Sequence, residues 1–265
     1  MGLIDSHAHL TAEALAPQIG AVLDRAWAAG VEAVIAIATD MKEAGRVIEL
    51  ARSDRRVFAA VGIHPHEAGR VAEADWTRFE GVMTQQRVVA LGEMGLDYHY
   101  DFADRATQHT VFQRQLELAS STDLPIVIHS REAHGDTIAI LAEGGYRGRR
   151  VVFHCFTGSE TEAEEIAANG WRISFTGVVT FKNAGDLRRI ATQCPIDQLM
   201  IETDSPFLSP VPVRHVQPNE PAHVAHIARF LAQQRGMRFE ELAAHTSANT
   251  RAFFRLDRTG QTAAT

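Results

Sequence analysis

Leu3-Ile4-Asp5-Ser6-His7-Ala8-His9 is the stretch whose reading decides the fold. Its apolar opening reads as a β-strand. Alternate side chains of a strand share a face, so the sequence predicts Asp5, His7 and His9 pointing the same way. Two imidazoles placed like that can hold one metal ion, with Asp5 as the carboxylate that orients a ligand imidazole. Moving outward, further short apolar runs follow at residues 32–38, 57–63, 88–92, 126–129, 151–154, 171–175 and 198–203. Amphipathic stretches lie between them, at 16–30, 41–52, 72–86, 105–122, 132–144, 160–169 and 184–193. After the eighth run Pro221 suits a first helical turn, and Val224, Ile227, Ala228 and Leu231 repeat with helical period. Eight strands each followed by a helix predict a (β/α)8 barrel, one α/β domain over residues 1–265. A doubly wound open sheet is the alternative, because strand order is not written in the sequence.

Composition is consistent with this. Apolar residues make up 45% of the 265, enough for a full core. No apolar run approaches membrane-spanning length and no cationic signal segment opens the chain, so we expect a cytoplasmic protein without membrane contact. Two cysteines, Cys155 and Cys194, fit a reducing compartment. A net charge of −7 is the wrong sign for coating duplex nucleic acid, so a phosphate substrate must be attracted locally. Nothing in the sequence indicates an obligate protein partner.

Active sites of such barrels are built at the C-terminal ends of the strands, and histidines and carboxylates accumulate at those ends here. His7 and His9 follow the first strand, His64 and His66 the third, Glu93 and Asp97 the fourth, His129 and Arg131 the fifth. His154 ends the sixth, and Glu202 and Asp204 the eighth. The candidate ligands are four imidazoles (His7, His9, His129, His154) and two carboxylates (Glu93, Asp204). Six groups exceed the need of one tetrahedral ion and point to two divalent ions sharing a carboxylate. An imidazole-rich set suits Zn2+, Mn2+ or Fe2+ better than Mg2+. Two such ions holding a hydroxide would hydrolyse their substrate at neutral pH.

The blocks Gly62-Ile63-His64-Pro65, Gly92-Glu93-Met94-Gly95-Leu96-Asp97-Tyr98, His129-Ser130-Arg131, His154-Cys155-Phe156-Thr157-Gly158 and Glu202-Thr203-Asp204-Ser205-Pro206 occur in this order. With the opening Asp5-Ser6-His7-Ala8-His9-Leu10 they resemble the TatD family of metal-dependent deoxyribonucleases, among the amidohydrolase-like barrels, over nearly the whole chain. The resemblance implies that His7, His9 and Asp204 hold one ion, His129 and His154 the other, and that Glu93 bridges them. It also implies hydrolysis of single-stranded DNA, from a 3′ end. Where the family carries a basic Arg-Gly-Lys-Arg-Asn-Glu-Pro segment, this chain reads Arg214-His215-Val216-Gln217-Pro218-Asn219-Glu220-Pro221, with two fewer basic side chains. That change weakens the expected grip on phosphate.

Individual side chains then take expected roles. Asp204 can both ligate and accept the proton of the attacking water. Glu202, of the same strand parity, would sit one layer below as a hydrogen-bonded support. His64 lies on the rim, placed to contact a substrate phosphate or leaving group, and with Asp204 and Glu93 makes up the catalytic set. Tyr98, Arg131, Lys182 and Arg214 follow strands and would line the substrate groove. Cys155 should point outward as a buried thiol, and His223 and His226 should be solvated. Arg147, Arg149 and Arg150 precede a strand and belong to the opposite face. The expected function is a two-metal deoxyribonuclease acting on DNA or another phosphoester; the alternative is a hydrolase of amide, lactone or aminoacyl-ester bonds on the same metal site.

Overall fold

In a computed structural model, which describes residues 2–258, eight parallel strands run in sequence order around a barrel, each neighbouring the next. They are β1 (Leu3–Ala8), β2 (Val31–Ala38), β3 (Val57–Val61), β4 (Val88–Asp97), β5 (Ile126–Arg131), β6 (Val151–Phe153), β7 (Arg172–Phe175) and β8 (Leu199–Ile201). The last strand meets the first through a parallel bridge between Ala8 and Ser205 and through His9 N donating to the Ser205 carbonyl at 2.7 Å. The open doubly wound sheet is thereby excluded.

Helices α1 (Ile19–Ala28), α2 (Met41–Ser53), α3 (Glu73–Val82), α4 (Arg105–Ala119), α5 (His134–Glu143), α6 (Glu160–Ala168), α7 (Gly185–Gln193) and α8 (Val224–Gln234) form the outer layer. Their starts follow local chemistry. Asp40 accepts from Glu43 N, Asp104 from Thr107 N, and Ser159 and Glu162 form a reciprocal capping box at α6. One apolar layer fills the space between strands and helices. A second lies inside the barrel and includes Ile4, Ile35, Phe58, Val89, Val127, Val152 and Met200.

A ninth helix, α9 (Phe239–Phe254), was not expected from the sequence. It crosses the N-terminal end of the barrel, where Phe253 and Phe254 complete the inner apolar layer and Ser247 Oγ donates to the Gly2 carbonyl at 2.8 Å. Two buried Phe side chains contribute about 1.5–3 kcal/mol each by leaving water. With α9 covering that end, the polar side chains of the strand ends lie at the opposite, C-terminal rim.

Candidate metal centre

The seam between β1 and β8 brings together groups from the two ends of the chain. Pairing of β1 with β2 slips between Asp5 and Ala8, where three residues of β1 span two of β2. Such a bulge re-aims side chains. Simple alternation therefore fails at Asp5, which among the described residues hydrogen-bonds to no imidazole: it accepts from Thr203 N (2.9 Å), Thr203 Oγ1 (2.5 Å) and His7 N (3.3 Å). Asp5 fixes the seam rather than orienting a ligand, and burial lifts its carboxyl to about 8 against those hydrogen bonds. Above it, His7 Nε2 and His9 Nε2 lie 3.3 Å apart, and Asp204 Oδ1 lies 3.6 Å from the first and 3.3 Å from the second. Asp204 adopts a left-handed backbone (φ 54°), which Asp tolerates better than most residues, and its N–H donates to the His7 carbonyl at 3.0 Å.

Glu93 enters from β4. That strand continues to Asp97 instead of stopping at Gly92, through a register slip between Leu91 and Met94. Gly92 (φ 124°) and Gly95 (φ 144°) flank the slip, and a Cβ at either would collide with the carbonyl oxygen of Val127 or His129. Only glycine permits this approach, and it delivers the Glu93 carboxylate into the middle of the site. Glu93 Oε2 faces His7 Nε2 at 3.4 Å and His9 Nε2 at 3.7 Å. Glu93 Oε1 faces His154 Nε2 at 2.5 Å and His129 Nδ1 at 2.7 Å, those two nitrogens being 3.4 Å apart.

Supporting groups surround these six. Asp97 Oδ2 receives both His129 Nε2 and His66 Nε2 at 2.9 Å, so it orients the His129 ring. The sequence carried Asp97 only as part of a motif; its position two residues beyond Gly95 on the same strand was the available signal. Glu202 accepts from Cys155 N (2.7 Å) and Ser6 Oγ (3.0 Å) and lies 3.4 Å from His154 Nδ1. His64 Nδ1 accepts from His66 N at 3.1 Å, so a neutral His64 carries its proton on Nε2, which lies 3.5 Å from Glu93 Oε1. His64 is thus a donor aimed at the centre.

The donor set fits a cation. Ligand atoms at the corners of a tetrahedron with bonds of about 2.0–2.1 Å lie about 3.3–3.4 Å apart. The spacings of His7 and His9 Nε2 from each other, from Asp204 Oδ1 and from Glu93 Oε2 run from 3.3 to 3.7 Å. Among the described residues Glu93 Oε2, though buried, receives no hydrogen bond. On the other side a cation would take the place of the short contacts from Glu93 Oε1 to His129 and His154. Burial works against the Glu93 charge, but the imidazoles of His154, His64 and His7 and the hydrogen bond from His129 hold its carboxyl well below the usual range. Burial likewise opposes the Asp204 charge, and His9 and His7 override it. Burial and the His154 charge push His7 down, and burial with His129 pushes His64 down to about 4.

The outlying candidates are more dispersed. Tyr98 commits its hydroxyl to His109 Nε2 and Asp136 Oδ2, each at 2.6 Å, and Arg105 covers its ring at 4.0 Å. It forms a wall, with Arg131, of a cleft of about 660 Å3 on the same rim. Lys182 is exposed beside Phe181, whose ring lies 3.9 Å from the exposed Arg214 guanidinium. In the unusual loop, Asn219 is buried and donates to the carbonyls of Thr203 (3.0 Å) and Phe207 (2.6 Å), while Glu220 pairs with Arg25 at 2.7 Å. Its Asn-Glu-Pro end is therefore an anchor, and the lost basic residues come from the exposed part. Cys155 does not point outward: its backbone turns left-handed (φ 43°), and its Sγ lies 3.5 Å from Thr176 Oγ1. Burial and the carboxylates of Asp204, Glu202 and Glu93 push that thiol well up. His223 is half-buried rather than solvated, with Nδ1 2.8 Å from Asn219 Oδ1, and His226 is half-buried as well.

Known proteins share this fold. The crystal structure of YJJV, a TatD homolog from Escherichia coli K12, superposes with a TM-score of 0.90 at 30% identity, over 96% of this chain and 98% of that one. A Bacillus subtilis (strain 168) protein named uncharacterized metal-dependent hydrolase YabD is 39% identical over 96% of this chain and all of its own length. A Salmonella typhimurium protein named 3'-5' ssDNA/RNA exonuclease TatD is 33% identical over 95% of this chain and 98% of its own. Residues 4–255 match the sequence profile described as TatD related DNase. The chain belongs to that family of metal-dependent hydrolases.

Proposed function

We propose that the chain, acting as one domain over residues 1–265 in the cytoplasm, is a two-ion phosphodiesterase that hydrolyses single-stranded nucleic acid. The observation that carries the reading is the two-sided use of Glu93: His7 and His9 face one oxygen, His129 and His154 the other. His7, His9 and Asp204 would hold one divalent ion, His129 and His154 the second, and Glu93 both. The chemistry that two such ions supply when bound is charge stabilisation at the attacking and leaving oxygens and a lowered pKa for water. Asp204, kept ionised by His9 and His7, accepts the proton of the attacking water. The Nε2–H of His64 donates to a phosphoryl or leaving oxygen. Arg131, Lys182 and Arg214 steady the backbone of the strand, and Tyr98 closes the side of the groove. Relatives named as single-strand exonucleases support the substrate class.

Protein purified without added metal should contain about two divalent ions per chain, and chelation should abolish an activity that Mn2+ or Zn2+ restores. Full activity at one ion per chain would rule out the binuclear centre. Single-stranded DNA, single-stranded RNA, an aminoacyl ester and a lactone should be offered in parallel. Turnover of an ester or lactone above every phosphodiester would overturn the nuclease reading and leave the metal centre standing.

A further inference from the structure

Five large apolar side chains are exposed among the described residues: Tyr100 (41%), Phe102 (61%), Phe207 (56%), Val211 and Val216. All five lie on two loops of the C-terminal rim, residues 98–104 after β4 and 205–220 after β8. A single exposed Phe needs no explanation, but confinement of the whole set to two loops beside one site does. On one side Phe102 and Tyr100 pack around His66, with ring centroids 4.6 and 5.3 Å from it, and Arg131 stands 4.9 Å from the Tyr100 ring. His66 shares Asp97 with His129, so this aromatic pair is linked to the donor set through His66 and Asp97. On the other side the Phe207 ring lies 6.1 Å from that of His9.

We propose that Tyr100 with Phe102, and Phe207, are stacking platforms for the unpaired nucleobases on either side of the phosphodiester being cut. The inference rests on the nuclease reading and adds what the substrate is held by. Every nucleobase has a π-face, so an aromatic ring binds it whatever its identity, and a phosphodiester in a strand always has a nucleoside on each side. A base inside a duplex has both faces covered, so platforms of this kind select single strands. They also answer the charge balance. The chain is net negative and its β8 loop has Arg214 where the family has a denser basic run, so phosphate attraction is weak here. Stacking supplies affinity that salt does not screen.

The test compares an oligothymidylate with a strand of the same length in which the nucleotides around the cut lack bases. The metal-loaded enzyme should prefer the base-bearing strand in kcat/KM by at least the roughly 5- to 150-fold expected for one stacked base, since two are lost. That ratio should fall severalfold in Tyr100→Ala/Phe102→Ala and in Phe207→Ala, each of which removes one of the two platforms, fall less in Phe102→Leu, and persist in Phe102→Trp. A second readout is quenching of a 2-aminopurine strand by the protein in chelator, where nothing is cut; the quench should depend on the same rings. Equal cleavage of both strands by the unaltered enzyme, or a ratio and quench indifferent to the alanine variants, would overturn the platforms while the nuclease reading stands. Ring-dependent quenching with no cleavage of any strand would uphold the platforms and remove the nuclease reading.

Discussion

The two ends of the barrel treat charge in opposite ways. At the N-terminal end Arg147, Arg149 and Arg150 form the densest basic cluster of the sequence. Each donates to an oxygen of the protein itself: Arg147 to Asn169 Oδ1 (2.5 Å), Arg149 to the Thr122 carbonyl (2.6 Å), Arg150 to the carbonyls of Phe253 (2.6 Å) and Asp123. At the C-terminal end six donor side chains from the ends of five strands face one another, and among the described residues Glu93 Oε2 is left without a hydrogen bond. Charged side chains whose hydrogen bonds are met inside the fold hold structure. Side chains that converge with bonding capacity to spare await a ligand. Density of charge along the sequence does not separate the two; partnership does.

The largest effect should come from the shared carboxylate. Glu93→Gln removes the charge that both halves of the centre use, and should cost about 10^3-fold or more in turnover with loss of bound metal by elemental analysis. A variant with both ions and near-normal rate would mean that the two halves do not share it. Next, Asp204→Asn should keep the fold by circular dichroism and lower turnover by about 10^2-fold or more, since ligand charge and proton acceptor go together. Smaller changes belong to the rim cations. Arg214→Ala or Lys182→Ala should raise KM for an oligonucleotide by about 3- to 10-fold and flatten its salt dependence, as expected of a lost phosphate contact. The smallest catalytic effect belongs to the opposite end: Arg149→Ala with Arg150→Ala should leave kcat/KM within about twofold. The same pair should lower Tm by several degrees, because about 1 kcal/mol is lost with each hydrogen bond. A ranking in which this pair damaged cleavage more than the rim cations would break the distinction between the two ends.

Much of the barrel was legible because its strands are short, apolar and separated by helical patterns. What was lost has identifiable causes. Helix α9 buries Thr246, Ser247 and Thr250 beside Leu242, Ala243, Phe253 and Phe254, so no clean apolar stripe marked it. Strand parity misled at Asp5, where β1 bulges, and at Cys155, which follows β6 in a left-handed conformation. The convergence of six candidate ligands on one rim was readable because imidazoles and carboxylates recur at strand ends, a position the alternation itself reveals. Asp97 stood at a strand end as well, but its role was not readable, since nothing local says that a carboxylate will meet the far nitrogen of a histidine on the next strand. Tyr100, Phe102 and Phe207 were silent for another reason: an aromatic residue in a loop reads as a packing anchor until its exposure is known.

The seam between β1 and β8 sets a timetable. His7 and His9 leave the ribosome early, but Asp204 and the Thr203 that grips Asp5 come late, 198 residues after that aspartate. Until they arrive, the first imidazole pair lacks the partner that completes its site, and bringing such distant segments together is entropically the slowest kind of closure. Capture of a cation by the proposed centre would therefore fall among the final acts of biosynthesis. Because binding free energy is gained only by the closed ring, a metal held in the proposed centre would favour the last strand in place.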